Sequence, residues 1–231
     1  MVQPAIVAFD VFGTVVDWHR SIVREVAALY PQVDADALAL AWRAGYQPAM
    51  EAVRSGGRGF VQLDVLHREI LDGLLPRFGL AYLDEAQRAH LNRVWHRLDP
   101  WPDAVAGIAR LKRRFTVVPL SNGNIALLTA MAKRAGLPWD AVLSAEVFAA
   151  YKPDARTYRG VAEVFGVSPQ AVMMVAAHQD DLDAARAHGL QTAYIERPAE
   201  FGAQRPKDVS GSPLNTLHAR DLLQLAELLD C

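Results

Sequence analysis

Residues 5–14 read AIVAFDVFGT. Five apolar residues in a row suit a strand buried on both faces, and a carboxylate followed three positions later by glycine marks where that strand gives way to a loop. Asp10 therefore stands at the carboxyl end of a core strand, where open parallel sheets gather their ligands. The same pattern resumes after Pro100 and Pro102. A helix to Leu111 precedes a strand over 115–120, a helix over 125–135, a strand over 141–145 and a helix over 155–165. A strand over 172–177, a helix over 183–188 and a strand over 192–195 follow, and 217–229 reads as an amphipathic closing helix. Such alternation predicts an α/β fold: a doubly wound, mostly parallel sheet with helices on both faces.

Between the first strand and Pro100 the apolar spacing is helical. Ile22, Val26 and Leu29 share one period, as do Leu38, Trp42 and Tyr46, then Leu63, Leu66, Ile70 and Leu74, then Leu91, Val94 and Leu98. About four inserted helices are expected. They would form a cap domain over 17–99, hinged by short linkers to a core domain made of 1–16 and 100–231. The glycine-rich segment 55–59 lacks the lysine and the strand-before-helix setting of a phosphate cradle, and reads as an interhelix loop.

Composition narrows the functional classes. The chain has 231 residues, 52% hydrophobic and 22% charged, enough to bury a sizeable core, and its formal charge of -2 provides no electrostatic reason to bind nucleic acid or an anionic membrane. A small-molecule substrate is expected. The single cysteine, Cys231, leaves no intrachain disulfide or thiolate zinc site. With no basic leader in 1–8 and no apolar run long enough to cross a bilayer, a soluble, cytoplasmic protein is expected.

Polar residues just after the strands carry the chemistry, because the ends of neighbouring parallel strands converge. Four ends are rich: 10–14, 121–124, 152–154 and 178–181. Together they offer a carboxylate, a hydroxyl and amide pair, an ammonium and a second acidic cluster, which is a nucleophile with its supporting groups.

Asp-Val-Phe-Gly-Thr at 10–14, Ser-Asn-Gly at 121–123, Tyr-Lys-Pro-Asp at 151–154 and the acidic segment ending at Asp181 resemble, in order and spacing, the four motifs of the haloacid dehalogenase superfamily. Many members of that superfamily are phosphatases, which carry an acid two residues after the nucleophile and a magnesium-binding aspartate early in the fourth motif. Here those positions are Phe12 and Ala177. Losing both suits a halide leaving group, which needs neither proton donor nor metal. The chain is similar to the type II (S)-2-haloacid dehalogenases, and the resemblance implies no cofactor and no metal.

The same resemblance implies the following roles. Asp10 is the nucleophile that forms an aspartyl ester, Thr14 orients it, and Lys152 keeps it ionised. The amides of Val11 and Phe12, with Ser121, hold the substrate carboxylate. Arg43, brought down from the cap, receives halide together with Asn122; an exposed helix arginine is its alternative reading. Tyr158 contacts the substrate carboxylate or Lys152, or is a core tyrosine. Asp181, with or in place of Asp180, positions or deprotonates the hydrolytic water. Phe12, Tyr46 and Phe60 are candidates for an apolar wall, against ordinary packing. The family's serine and asparagine in the fourth motif are here Ala176 and His178, so His178 becomes a candidate donor, water-orienting group or base, and a histidine there is similar to the subgroup able to attack fluoroacetate. The remaining histidines, at 19, 67, 90, 96, 188 and 218, read as surface or helix-end residues. The implied partners are a 2-halo acid, the released halide and a second copy of the chain. A phosphatase or other hydrolase of the same superfamily, and a non-catalytic member that binds a small acid or a partner protein, are the competing readings.

Overall fold

The computed structural model describes residues 3–56 and 59–231. Two residues of the segment 55–59 and the first two of 1–8 lie outside the described residues. In chain order the elements are β1 Ile6–Phe9, β2 Val16–Asp17, α1 Trp18–Leu29, α2 Ala35–Arg54, α3 Leu63–Leu74, α4 Glu85–Asn92 and β3 Asp99–Pro100. Then come α5 Ala104–Lys112, β4 Thr116–Ser121, α6 Ile125–Ala135, β5 Leu143–Ser144, α7 Ala145–Phe148 and α8 Ala155–Phe165. The chain ends with β6 Val172–Ala176, α9 Gln179–Ala187, β7 Gln191–Ile195, β8 Leu217–Ala219 and α10 Leu222–Leu228.

Six strands form one parallel sheet in the order β5-β4-β1-β6-β7-β8, so β1 is central, with Val7 paired to Val117 on one side and Met173 on the other. Side-chain alternation divides its residues between two apolar layers. Val7 and Phe9 join Ile108 of α5, Leu127 of α6 and Leu225 of α10, while Ile6 and Ala8 join Tyr158 and Val161 of α8 and Leu182 of α9. Both sheet faces are thus covered, which explains the unbroken apolar run. The fold is α/β and doubly wound.

The four helices α1 to α4 are inserted between β2 and β3, which pair antiparallel through Val16 with Pro100 and Asp17 with Asp99. Asp17 also accepts from the Arg20 amide at 3.0 Å, so the ribbon and the first helical turn share a residue. Inside the insert His67 stacks on Trp95 and Trp42 meets Trp95 edge-on, among fully buried aliphatic residues. A buried pair braces the sheet end: Arg197 donates to both oxygens of Asp103, at 2.9 and 2.7 Å, and its Nε to the Thr14 carbonyl at 2.9 Å. No helix of the described residues is long and apolar enough to cross a membrane.

Three sequence expectations change. The closing helix over 217–229 is a strand followed by a helix: Leu217, His218 and Ala219 pair with β7, and the Asp221 carboxylate then caps α10 through the Gln224 amide at 2.7 Å. The helix expected over 183–188 begins at Gln179, which puts Asp180 and Asp181 in its first turn. His67 is fully buried and His19 nearly so; helical spacing marked the apolar neighbours of these histidines, and the rings follow them inward.

Candidate active site

The β1 end is built to present a carboxylate. The Asp10 amide bonds the Val175 carbonyl at 2.9 Å, extending the pairing with β6, and the chain then folds back through Val15 N to Val11 O at 2.9 Å and Gly13 N to Val16 O at 3.0 Å. Gly13 has φ 85, and a Cβ there would lie 2.3 Å from Glu200 Oε1, so both backbone and space require glycine. Thr14 Oγ1 donates to Asp10 Oδ2 at 2.8 Å and accepts from the Ala177 amide at 2.9 Å, which ties the ends of β1 and β6 together.

Lys152 reaches the same point from the loop before α8. Its amide donates to Asn122 Oδ1 at 2.9 Å, and its ammonium lies 3.0 Å from Asp10 Oδ1 and 2.5 Å from Asp181 Oδ2. Tyr158 donates its hydroxyl to Asp181 Oδ1 at 2.7 Å. The electrostatics separate the two carboxylates. Burial would raise Asp10, but the Lys152 ammonium and His178 outweigh it and hold Asp10 well below the usual carboxylate range. For Asp181, burial and the charge of Asp10 outweigh Lys152, so its carboxyl is raised. Burial would lower Lys152; its two carboxylate partners more than offset that and hold it above the ordinary range. Asp10 is thus the firmly ionised member and Asp181 the more basic one.

On its other side Asp10 Oδ2 lies 3.1 Å from His178 Nδ1, and His178 Nε2 lies 2.8 Å from Glu200 Oε1. Burial pulls His178 down, but the two carboxylates prevail and push it up to about 9. Glu200 is fully buried; His178 and the Lys207 ammonium, 2.6 Å from Glu200 Oε2, overcome that burial and hold it at about 2. Sequence reasoning missed Glu200. It considered four strand ends, whereas β7 supplies a fifth, whose loop carries Arg197 and Glu200.

A cavity of about 390 Å³ opens over these groups. Asp10, Phe12, Arg43, Tyr46, Asn122, Lys152, Tyr158, His178 and Asp181 all line it. Arg43 is half-buried, not an exposed helix arginine: its guanidinium carbon sits 4.3 Å from the centre of the Tyr46 ring and 5.7 Å from Trp18. Thr14, Val11 and Ser121 are buried behind the surface, and the Ser121 hydroxyl accepts from the Gly123 amide at 3.1 Å. Phe60 is placed elsewhere. It lines a neighbouring cavity of about 370 Å³, 5.1 Å from the Tyr151 ring, where the Tyr151 hydroxyl donates to the Val61 carbonyl at 2.6 Å and holds this segment. Arg54, which sequence did not single out, borders both cavities and donates to the Lys152 carbonyl at 3.1 Å.

The donor set does not suit a hard divalent cation, which needs several free oxygens. Both oxygens of Asp10 and of Asp181 already accept from a cation or a hydroxyl, Phe12 and Ala177 offer no oxygen side chain, and among the described residues no group of three ligating side chains converges.

Residues 4–189 match the model of the haloacid dehalogenase-like hydrolases. The chain belongs to this family. It is 31% identical over 204 residues to (S)-2-haloacid dehalogenase 4A of Burkholderia cepacia, covering 84% of each chain. A solved defluorinating L-2-haloacid dehalogenase is 44% identical, with a TM-score of 0.95 over 99% of this chain and 96% of the other. A second solved L-2-haloacid dehalogenase is 45% identical, with a TM-score of 0.93 over 98% and 99%.

Proposed function

We propose that this hydrolase removes halide from short 2-halo acids, producing 2-hydroxy acids through an ester on Asp10. The observation that carries the reading is the division of labour around Asp10: Oδ2 is held by Thr14 and His178, while Oδ1, among the described residues, meets only the Lys152 ammonium. Oδ1 attacks the 2-carbon opposite the halide, the carbon–halogen bond breaks, and the halide leaves towards Arg43 and Asn122 with inversion at that carbon. Oδ2 is then the carbonyl oxygen of the ester. Water attacks Asp10 Cγ and passes a proton to Asp181, whose raised pKa suits a base. The developing negative charge on Oδ2 meets the Thr14 hydroxyl and the His178 imidazolium, an oxyanion site already assembled around the nucleophile. Breaking the Cγ–O bond frees the hydroxy acid, whose alkoxide takes up the proton that Asp181 received. The second water proton leaves the new Asp10 carboxyl for solvent as Lys152 and His178 restore its carboxylate, so that water and the halo acid give hydroxy acid, halide and one proton.

Support comes from this geometry and from relatives named as haloacid dehalogenases. Residues 17–99 act as a cap domain on a core of 1–16 and 100–231, and the cap brings Arg43 to the leaving group. The test is halide release from a panel of short 2-halo acids with metal chelated. Chelator-insensitive release is expected; magnesium-dependent hydrolysis of a phosphate ester without halide release would overturn the reading. A defluorinating relative and a cationic His178 also favour fluoroacetate as a substrate, since small, strongly hydrated fluoride needs close charged donors to depart. Fluoride release, measured beside chloride release from chloroacetate, tests this, and its absence removes the claim.

A further inference from the structure

Glu200 takes no part in the steps above, yet it is fully buried and saturated with donors: His178 Nε2 at 2.8 Å, Lys207 Nζ at 2.6 Å and Trp18 Nε1 at 3.3 Å. His178 lies between two carboxylates, with one ring nitrogen on each. A neutral imidazole has one N–H, so either tautomer would turn a lone pair towards a carboxylate oxygen. Only the imidazolium gives both a donor.

We propose that Glu200 is a positioning residue that keeps His178 doubly protonated and aimed at Asp10 Oδ2, so that His178 serves ester hydrolysis as a fixed cationic donor and never as the base. The proposal rests on the ester mechanism proposed above. Its logic lies in what alkylation does. Once Asp10 becomes an ester it no longer carries charge, and His178 loses one of its two anionic partners. Glu200 is the other. Without it the ring would meet the ester with one anion fewer and tend to shed its proton as the carbonyl oxygen begins to need it.

The charged groups around His178 support this assignment. Asp10 faces it from β1, Glu200 and Lys207 from the loop after β7, Lys152 from the loop before α8, Asp180 and Asp181 from α9, and Arg43 borders the same cavity from α2. Lys207 also donates to the Ala177 carbonyl at 2.6 Å, next to His178, which anchors the glutamate's cation to the backbone before His178. Trp18 begins the inserted helices, so its bond to Glu200 links the insert to the donor that faces Asp10.

The experiment is a nitrogen-15 NMR titration of the histidine rings, with His178 assigned from the spectrum of His178→Asn, alongside pH profiles of kcat. In the wild type both ring nitrogens of His178 should remain protonated at pH 7. In Glu200→Gln the titration midpoint should fall by about one to two pH units, the effect of losing one adjacent charge. The basic limb of kcat should fall with it, while KM changes little and Glu200→Asp recovers part of the shift. A wild-type His178 that is neutral at pH 7 overturns the proposal without any variant. A uniform loss of kcat in Glu200→Gln, with no displacement of the profile, would mean that Glu200 only supports the loop. The ring titration also separates this claim from the function: an imidazolium held by Glu200 in a protein that releases no halide would sink the reaction and leave the assignment standing.

Discussion

Replacing Lys152 by methionine removes an ammonium from between two buried carboxylates while roughly preserving its volume. The Lys152 side chain is 8% exposed, and those of Asp10 and Asp181 are each 10% exposed. Breaking a buried ion pair by deleting one partner costs about 3–5 kcal/mol, because the remaining charge stays desolvated. Asp10 would still have Thr14 and His178, whereas Asp181 would keep only the Tyr158 hydroxyl. Asp181 would therefore take up a proton. The pH dependence follows from its sign. An acid whose folded pKa is raised makes the native state bind the extra proton, so stability grows as pH falls through that pKa, by about 1.4 kcal/mol per unit. In wild type Lys152 opposes the rise of Asp181, so the gain there is smaller. Urea unfolding should show a deficit of about 3–5 kcal/mol at pH 8, shrinking at pH 5. A deficit as large at pH 5 as at pH 8 would refute the view that Lys152 compensates these carboxylates.

Asp10→Asn should fold and release no halide, and single-turnover reaction of the wild type in heavy-oxygen water should label the Asp10 carboxylate first; label appearing directly in product would mean that water, not Asp10, attacks. Arg43→Ala should lower kcat by roughly a hundredfold, comparable with losing one oxyanion donor, with an unchanged unfolding midpoint; near-normal turnover would remove Arg43 from the leaving-group site. His67 is buried with both ring nitrogens unpaired, and burial pulls it down to about 3. Because its folded pKa is depressed, the stability it allows is present above pH 6.5 and drains away below it at about 1.4 kcal/mol per unit. His67→Phe should flatten that acid loss between pH 6 and 4, and an unaltered slope in acid unfolding would contradict it.

What was legible in the sequence follows the range of the interactions involved. The central strand announced itself because β1 is covered on both faces and needs an unbroken apolar run, and Asp10, Thr14, Lys152 and Asp181 stood out because strand ends converge whatever lies between them. Element boundaries were less legible where a cap decided them. Asp221 starts α10 and so releases 217–219 to pair with β7, but an aspartate inside an amphipathic stretch looks the same whether it caps a helix or merely faces water. Phe60 failed for a related reason: its spacing marks it as apolar, and nothing in spacing says which of two adjoining cavities it borders.

Glu200 marks where local reading ends. It lies 22 residues from His178 and 182 from Trp18 in the chain, and only the placing of β7 beside β6 brings the three together. Its loop has no motif of its own. Still, a physical trace was present on each side. Gly13 is required in part because Glu200 fills the space of its missing Cβ, and His178 has an acid on one ring nitrogen that calls for an acid on the other if the ring is to stay charged. In the folded protein one buried anion from another strand end accounts for both the crowding at the glycine beside the nucleophile and the second partner of the histidine. The strand-end rule, carried one strand further to β7, narrows that anion to the loop in which Glu200 lies.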